Sequence, residues 1–294
     1  MRRLMRTVKD AALVGGLCLT ASVIMWGREG PHVMTGAVIP YTVQPGDSLI
    51  SMGARFGVEA SVLAEDNDLP AGGALRPGQV LFVNSRHIVP AGFQDGILIN
   101  IPQRMLFVAR EHGVEPAFPV AVGRRGWPSP IGTFEVGNKE IDPTWEVPIS
   151  IQREMAQAGR TVLKTVLPGP DNPLGDRWLG LKDMGVGIHG TNQPTSVYRV
   201  TTHGCIRLHP DDARVLFELV EVGSPVRIVY EPVLVAIDDG NQVWLEVHRD
   251  AYGRAGDLFR IAGDLLQEAG VGAAVDAAAV RRCVQERRGR PCPL

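Results

Sequence analysis

The sequence predicts a multidomain, mainly β protein: a small βααβ module, then a larger β-rich domain, then a small C-terminal α+β segment. Three observations carry this expectation. Glycine (34) and proline (22) are abundant among the 294 residues, which marks a turn-rich chain and excludes coiled coils and collagens. Short apolar runs separated by Gly and Pro turns recur from residue 96 onward, the pattern of a barrel or sandwich. Ahead of them, residues 41–84 alternate strand-like and helix-like periodicity over a length that holds only a small module. With 45% hydrophobic and 21% charged residues, the chain can bury a core and is not disordered by composition. Its formal net charge of -2 offers no basic field, so no nucleic-acid partner is expected.

Taken in order, residues 1–30 read as an export signal or a short membrane anchor. Arg2, Arg3, Arg6 and Lys9 precede residues 11–26, which carry no charge, a cationic and then apolar arrangement that targets a chain for export. The run is at the short edge for a spanning helix. Thr35-Gly36-Ala37 is the best cleavage candidate, so cleaved and anchored forms both stay open. Leu17 stands before Cys18 where a lipidated cysteine would want a small residue. No comparable run follows, so membrane contact is expected through this segment alone.

Residues 41–43 are β-prone, and Gln44-Pro45-Gly46-Asp47 turns into a helix at 48–56 with Leu49, Met52 and Phe56 at helical spacing. Asp47 is expected to cap that helix. A second short helix is expected at 61–67, a turn at 75–79 and a strand at 80–83. With YTVQPGDSLISMGARFGV and LRPGQVLFV, residues 40–85 resemble the LysM module, a small peptidoglycan- and chitin-binding domain. The resemblance implies binding of N-acetylglucosamine-containing glycan in a groove beside the first turn and the second helix.

The β-rich domain, 95–232, is read from runs at 97–101, 105–108, 118–122, 132–136, 185–189 and 226–230. One amphipathic helix interrupts them at 211–220, with Ala213, Leu216, Phe217 and Val220 on one face and Pro210 and Asp211 near its start, where both are favourable. The last segment, 233–294, opens with β-runs at 233–237 and 243–247 and closes in an Ala- and Arg-rich helical tail. Cys283 and Cys292 close a short loop there, and in an oxidising compartment they can pair; the sequence leaves open whether they do, and it is silent on oligomeric state. That leaves Cys205 unpaired.

Reactive side chains concentrate in Ile188-His189-Gly190-Thr191 and Thr202-His203-Gly204-Cys205-Ile206-Arg207-Leu208. A nucleophilic thiol needs a base, because little of it is ionised at neutral pH. His189 ends a separate β-run and can face the sulfur without twisting the local backbone, which makes it the better candidate than His203. Gly190 and Gly204 suit backbone passing close to a substrate, and the N–H groups around Gly204 and Cys205 suit an oxyanion. In an extended chain Arg207 shares the cysteine's face while Ile206 and Leu208 point inward; a substrate clamp and a structural ion pair are both open to it. His209 reads as a helix cap. His189, His203, Cys205 and His209 are metal-ligand types, but their spacing fits no familiar zinc site; no metal and no cofactor is expected.

These residues resemble the L,D-transpeptidase catalytic domain, the YkuD fold, whose signature is a histidine followed by Ser/Thr-His-Gly-Cys. Val122-Gly123, Trp127-Pro128-Ser129-Pro130-Ile131-Gly132, Asp142-Pro143-Thr144-Trp145 and Gly169-Pro170-Asp171-Asn172-Pro173-Leu174-Gly175 match as well. The resemblance implies Cys205 as acyl-accepting nucleophile, His189 as general base, Gly190 as a backbone partner orienting the imidazole, and His203 as a supporting or oxyanion-side group. Arg207 and Thr202 fall on the substrate side, Thr202 replacing the commoner serine and keeping its hydroxyl. Ser196-Val197-Tyr198 departs from the family's usual glycine-containing loop. The implied function is transfer of a diaminopimelate-terminated stem peptide through a thioester to an amine, in the periplasm. Partners are then the peptidoglycan glycan and its stem peptides, with outer-membrane murein lipoprotein or another stem peptide as acceptor. Hydrolysis of the same linkage and a non-catalytic wall-binding role are the alternatives.

Overall fold

The computed structural model describes residues 33–92, 95–110 and 113–294; the export segment expected at 1–30, with Cys18, lies outside them. Among the described residues no helix is long and apolar enough to cross a membrane.

The first unit comprises β1 (Met34–Thr35), β2 (Val38–Thr42), α1 (Leu49–Phe56), α2 (Ala60–Glu65), β3 (Val80–Asn84) and β4 (His87–Ile88). β2 pairs antiparallel with β3, from Val38 opposite Asn84 to Thr42 opposite Val80, while β1 pairs with β4. Leu49, Met52, Val62, Leu63, Leu81 and Val83 form its core. Asn67 ties the end of α2 to the sheet, donating to Leu63 O (2.8 Å) and accepting from Phe82 N (2.7 Å). The cap of α1 is Ser48 rather than Asp47. Ser51 N donates to Ser48 Oγ (3.1 Å) and Ser48 N to Ser51 Oγ (2.9 Å), a reciprocal box. Asp47 instead closes the preceding turn, accepting from Gln44 N at 2.7 Å and from the Tyr41 hydroxyl at 2.9 Å.

The central unit holds β5 (Gly96–Asn100), β6 (Met105–Arg110), β7 (Gly113–Gly123), β8 (Gly132–Ile141), β9 (Trp145–Glu146), α3 (Ile149–Gln157), β10 (Thr165–Val166), β11 (Arg177–Leu181), β12 (Gly187–His189), a 3-10 turn at Pro194–Ser196, β13 (Val200–Thr202), β14 (Ile206–Leu208), α4 (Pro210–Leu219) and β15 (Pro225–Val229). The ladder runs β13-β7-β14-β12-β11-β8-β15-β5-β6 and returns from β6 to β7. The long strand β7 makes this closure, pairing with β6 through its first half and with β14 through its second. Period-2 burial explains why β5 is buried throughout: Ile97 and Ile99 enter the main core, while Leu98 joins Phe107 and Tyr198 on the other face. α4 covers the main core with Ala213, Leu216 and Phe217. Between β8 and β11 the chain leaves the ladder for β9, α3 and β10. α3 buries no residue fully.

The last unit is β16 (Val233–Ile237), β17 (Val243–Val247), α5 (Leu258–Glu268), α6 (Ala277–Glu286) and β18 (Pro291–Pro293). The strands form one sheet in that order, and both helices pack on it through Leu258, Ala262, Leu266, Val280 and Val284. Cys283 of α6 is bonded to Cys292 of β18.

Buried polar groups join the three units. Glu246 of β17, wholly buried, accepts from Ile88 N (2.5 Å), Gln103 Nε2 (3.0 Å), His87 Nδ1 (2.8 Å) and His248 Nε2 (2.8 Å). The other His87 nitrogen meets the carbonyl of Gly57 at the end of α1, 3.0 Å away. Arg104 pairs with Glu59 at 2.8 Å. Arg288 pairs with Glu65 at 3.2 Å, and Arg290 with Asp66. The first unit is thereby held by the barrel and by the tail.

Candidate active site

Parallel pairing of β12 with β14 sets Ile188 opposite Ile206 and His189 opposite Arg207. By the same register Cys205, at the turn leading into β14, falls opposite Gly187 at the start of β12. The turn is built by its own residues. Gly204 has φ of 107°, a conformation that a side chain would strain. Thr202 Oγ1 donates to Cys205 O at 2.5 Å and accepts from Gly204 N at 3.2 Å. Thr202 is 3% exposed and its hydroxyl is engaged within the turn ahead of Cys205. Ile206 and Leu208 are fully buried and Arg207 points to the other face.

His189 is buried, and its Nδ1 lies 2.6 Å from the carbonyl of Gly190. A carbonyl only accepts, so Nδ1 carries the proton and Nε2 is left as the basic nitrogen. The Leu174 carbonyl also faces the ring, and Trp178, opposite His189 across β11 and β12, stacks on it with centroids 5.9 Å apart. The chain can bring Leu174 there because Gly175, at φ 69°, passes within contact of Gly190 and Thr191; a Cβ at Gly175 would sit 2.7 Å from Thr191 N. Burial, reinforced by the Arg207 guanidinium, holds the imidazole pKa down at about 3.

Cys205 is a free, partly exposed thiol. Burial raises its pKa, opposed by the Gly187 backbone and by Arg207. Thiol and imidazole are thus both neutral at rest. Arg207 donates to Ser196 Oγ at 2.9 Å, and its buried Nε has no hydrogen-bond partner among the described residues. Burial lowers the pKa of this guanidinium while the neighbouring Cys205 opposes the shift. An orphan charged donor beside a thiol is an unfilled acceptor site for an anionic group.

His203 turns away from this pair. Its Nε2 lies 2.9 Å from Glu154 Oε2 and 2.8 Å from Arg124 Nη2, and Arg124 also pairs with Glu154. The Trp127 ring lies beside it, 5.6 Å between centroids. His203 hydrogen-bonding holds the Glu154 carboxyl below its ordinary pKa, with Arg124 adding to the effect. The sequence reading missed Glu154 and Arg124; both look like surface charges, and nothing in their spacing ties them to His203. Ser196, named above only as part of a loop, meets Arg207 from the 3-10 turn, and Trp178 meets His189 through the register of β11 and β12; the sequence reading assigned neither to the site. His209 caps α4, accepting from Asp211 N at 3.3 Å. Among the described residues no group of three or more His, Cys, Asp or Glu side chains is arranged to hold a metal.

Comparison with known proteins adds two matched regions. A family profile described as "L,D-transpeptidase catalytic domain" matches residues 94–228, and one described as "LysM domain" matches 41–84. The probable L,D-transpeptidase ErfK/SrfK of Salmonella typhimurium is 33% identical over 220 residues, 73% of this chain and 69% of that relative. The probable L,D-transpeptidase YbiS of Escherichia coli is 30% identical over 260 residues, 84% of this chain and 83% of the relative. A crystal structure of an Enterococcus faecium L,D-transpeptidase aligns over 48% of this chain and 51% of that one, at 23% identity and a TM-score of 0.35.

Proposed function

The chain belongs to the L,D-transpeptidase family, and from that premise we propose that it transfers a peptidoglycan stem peptide through a thioester on Cys205. In the first step the sulfur attacks the carbonyl of diaminopimelate in a tetrapeptide stem. The thiol proton passes to Nε2 of His189, a C–S bond forms, and the backbone N–H of Cys205 receives the oxyanion. The C–N bond to the terminal D-alanine then breaks, and His189 returns its proton to the leaving amine. In the second step an acceptor amine attacks the thioester and gives its proton to His189. The C–S bond breaks and the thiol is restored.

The observation that carries this reading is the pairing of β12 with β14. It supports the reading by laying the strand that ends in buried His189, whose Nδ1 faces the Gly190 carbonyl, against the strand that follows the free thiol Cys205 and carries Arg207 with its orphan Nε. Gly190 holds the imidazole, Arg207 takes a substrate carboxylate, Thr202 and Gly204 form the turn, and His203 with Glu154 and Arg124 steadies the chain entering it. The first unit binds the glycan. Wall localisation, in the periplasm, is supported by the cationic and apolar N-terminal sequence and by the Cys283–Cys292 bond, which persists in oxidising compartments.

The test is mass spectrometry of muramidase-digested sacculi incubated with the protein. A cross-linked or lipoprotein-linked product with loss of D-alanine is expected from the native chain, and none from Cys205→Ala. Transfer retained by Cys205→Ala would sink the assignment, and a product bearing water in place of an amine would make the enzyme a hydrolase.

A further inference from the structure

A cleft of about 360 Å³ separates α1 and the turn after it from the barrel, a size that takes small ligands. Ile50 and Val58 form one wall, Pro102 and Val200 the other. Two exposed arginines, Arg199 and Arg249, line it as well, and neither has an acidic partner among the described residues. A guanidinium fork matches a carboxylate in shape and charge.

The backbone behind this cleft is unusual. Arg104 and Tyr198 both line it, and both are non-glycine residues with positive φ, 56° and 60°. They hold each other: Arg104 Nη1 donates to Tyr198 O at 3.1 Å, and its guanidinium lies 4.0 Å from the Tyr198 ring centroid. Left-handed conformations at such residues persist where the surroundings enforce them, and they gather at ligand clamps. The loop so held runs from the 3-10 turn at Pro194–Ser196 into β13. Ser196 touches Arg207 on the catalytic side, and Val197 to Val200 line the cleft. One loop therefore separates two anion-seeking sites.

We propose that the cleft anchors a second stem peptide, the amine acceptor, with Arg199 and Arg249 gripping its carboxylates. The inference rests on the transpeptidase reading, in which Arg207 serves the donor on the inner side of the loop. The outer side is then free for a peptide of the same polymer, next to the unit that grips the glycan.

The experiment uses the full chain and two measurements. Acylation of Cys205 by a disaccharide-tetrapeptide is followed by intact mass, and transfer is followed as a function of acceptor concentration. In Arg199→Gln/Arg249→Gln, acylation should proceed at the native rate, which also certifies the fold, while the acceptor KM rises about five- to tenfold. An acceptor whose carboxylates are amidated should show the same higher KM with the native chain and no further rise with the variant. An unchanged acceptor KM overturns the proposal. So does a parallel fall of acylation and transfer in both single variants, because the arginines then serve the donor. Failure of the native chain to acylate Cys205 overturns the transpeptidase mechanism instead, and the two failures are told apart by that first measurement.

Discussion

His189 and Cys205 rest as a neutral pair because burial opposes the charge of each. The proton therefore moves during attack, not before it. For His189 the folded pKa of about 3 lies below the ordinary 6.5, so the basic imidazole is present at every pH above roughly 4. Acylation rates measured from pH 5 to 8 should show no loss of activity on descending through 6.5; a fall centred there would mean that the imidazole titrates normally. Stability carries the opposite mark. The unfolded chain takes up a proton on this histidine below 6.5 while the folded chain does not, so its contribution is complete above 6.5 and is lost as pH falls toward 3. The urea midpoint should accordingly be lower at pH 5 than at pH 7. Cys205 and His189 stood out in the sequence as the proposed nucleophile and base because a lone thiol and histidines flanked by glycines make a poor core. Glu154 did not, since a carboxylate 49 residues from His203 reads as a solvated charge until the fold brings the two together.

Among the elements, those whose residues face a core announced themselves. The runs at 233–237 and 243–247 coincide with β16 and β17, and the amphipathic stripe of Ala213, Leu216 and Phe217 gives α4 within a residue of its bounds. α3 was not expected, and its apolar residues are not drawn fully into a core. β14 has the alternation expected of an extended Ile206–Leu208, whereas β13 was not expected. The capping of α1 shows a subtler failure: two adjacent residues, Asp47 and Ser48, both suit a cap, and the choice depends on Ser51 completing the box and on Tyr41 engaging Asp47. Ser48→Ala should cost about 1 kcal/mol and lower the melting temperature of the first unit. Asp47→Ala acts on the turn instead, so its effect should persist in the Ser48→Ala background.

For the molecule as a whole, the disulfide closes a loop between residues nine apart in sequence, and the chain-entropy argument assigns it about 2–3 kcal/mol. Cys283→Ser/Cys292→Ser should lower the denaturant midpoint of the last unit by a corresponding amount, checked by urea unfolding with and without reductant; native protein insensitive to reductant would contradict it. The loop it closes contains Arg288 and Arg290, the two residues that reach back to Glu65 and Asp66. Arg290 follows Asp66 by 224 residues. During synthesis the first unit emerges and folds long before its clasp exists. The tail thus adds its clasp to the barrel's own hold on the first unit, through Arg104 and Glu59, only after it has been made. A chain whose synthesis stops short of the tail keeps the barrel's contacts with its first unit but lacks this second clasp.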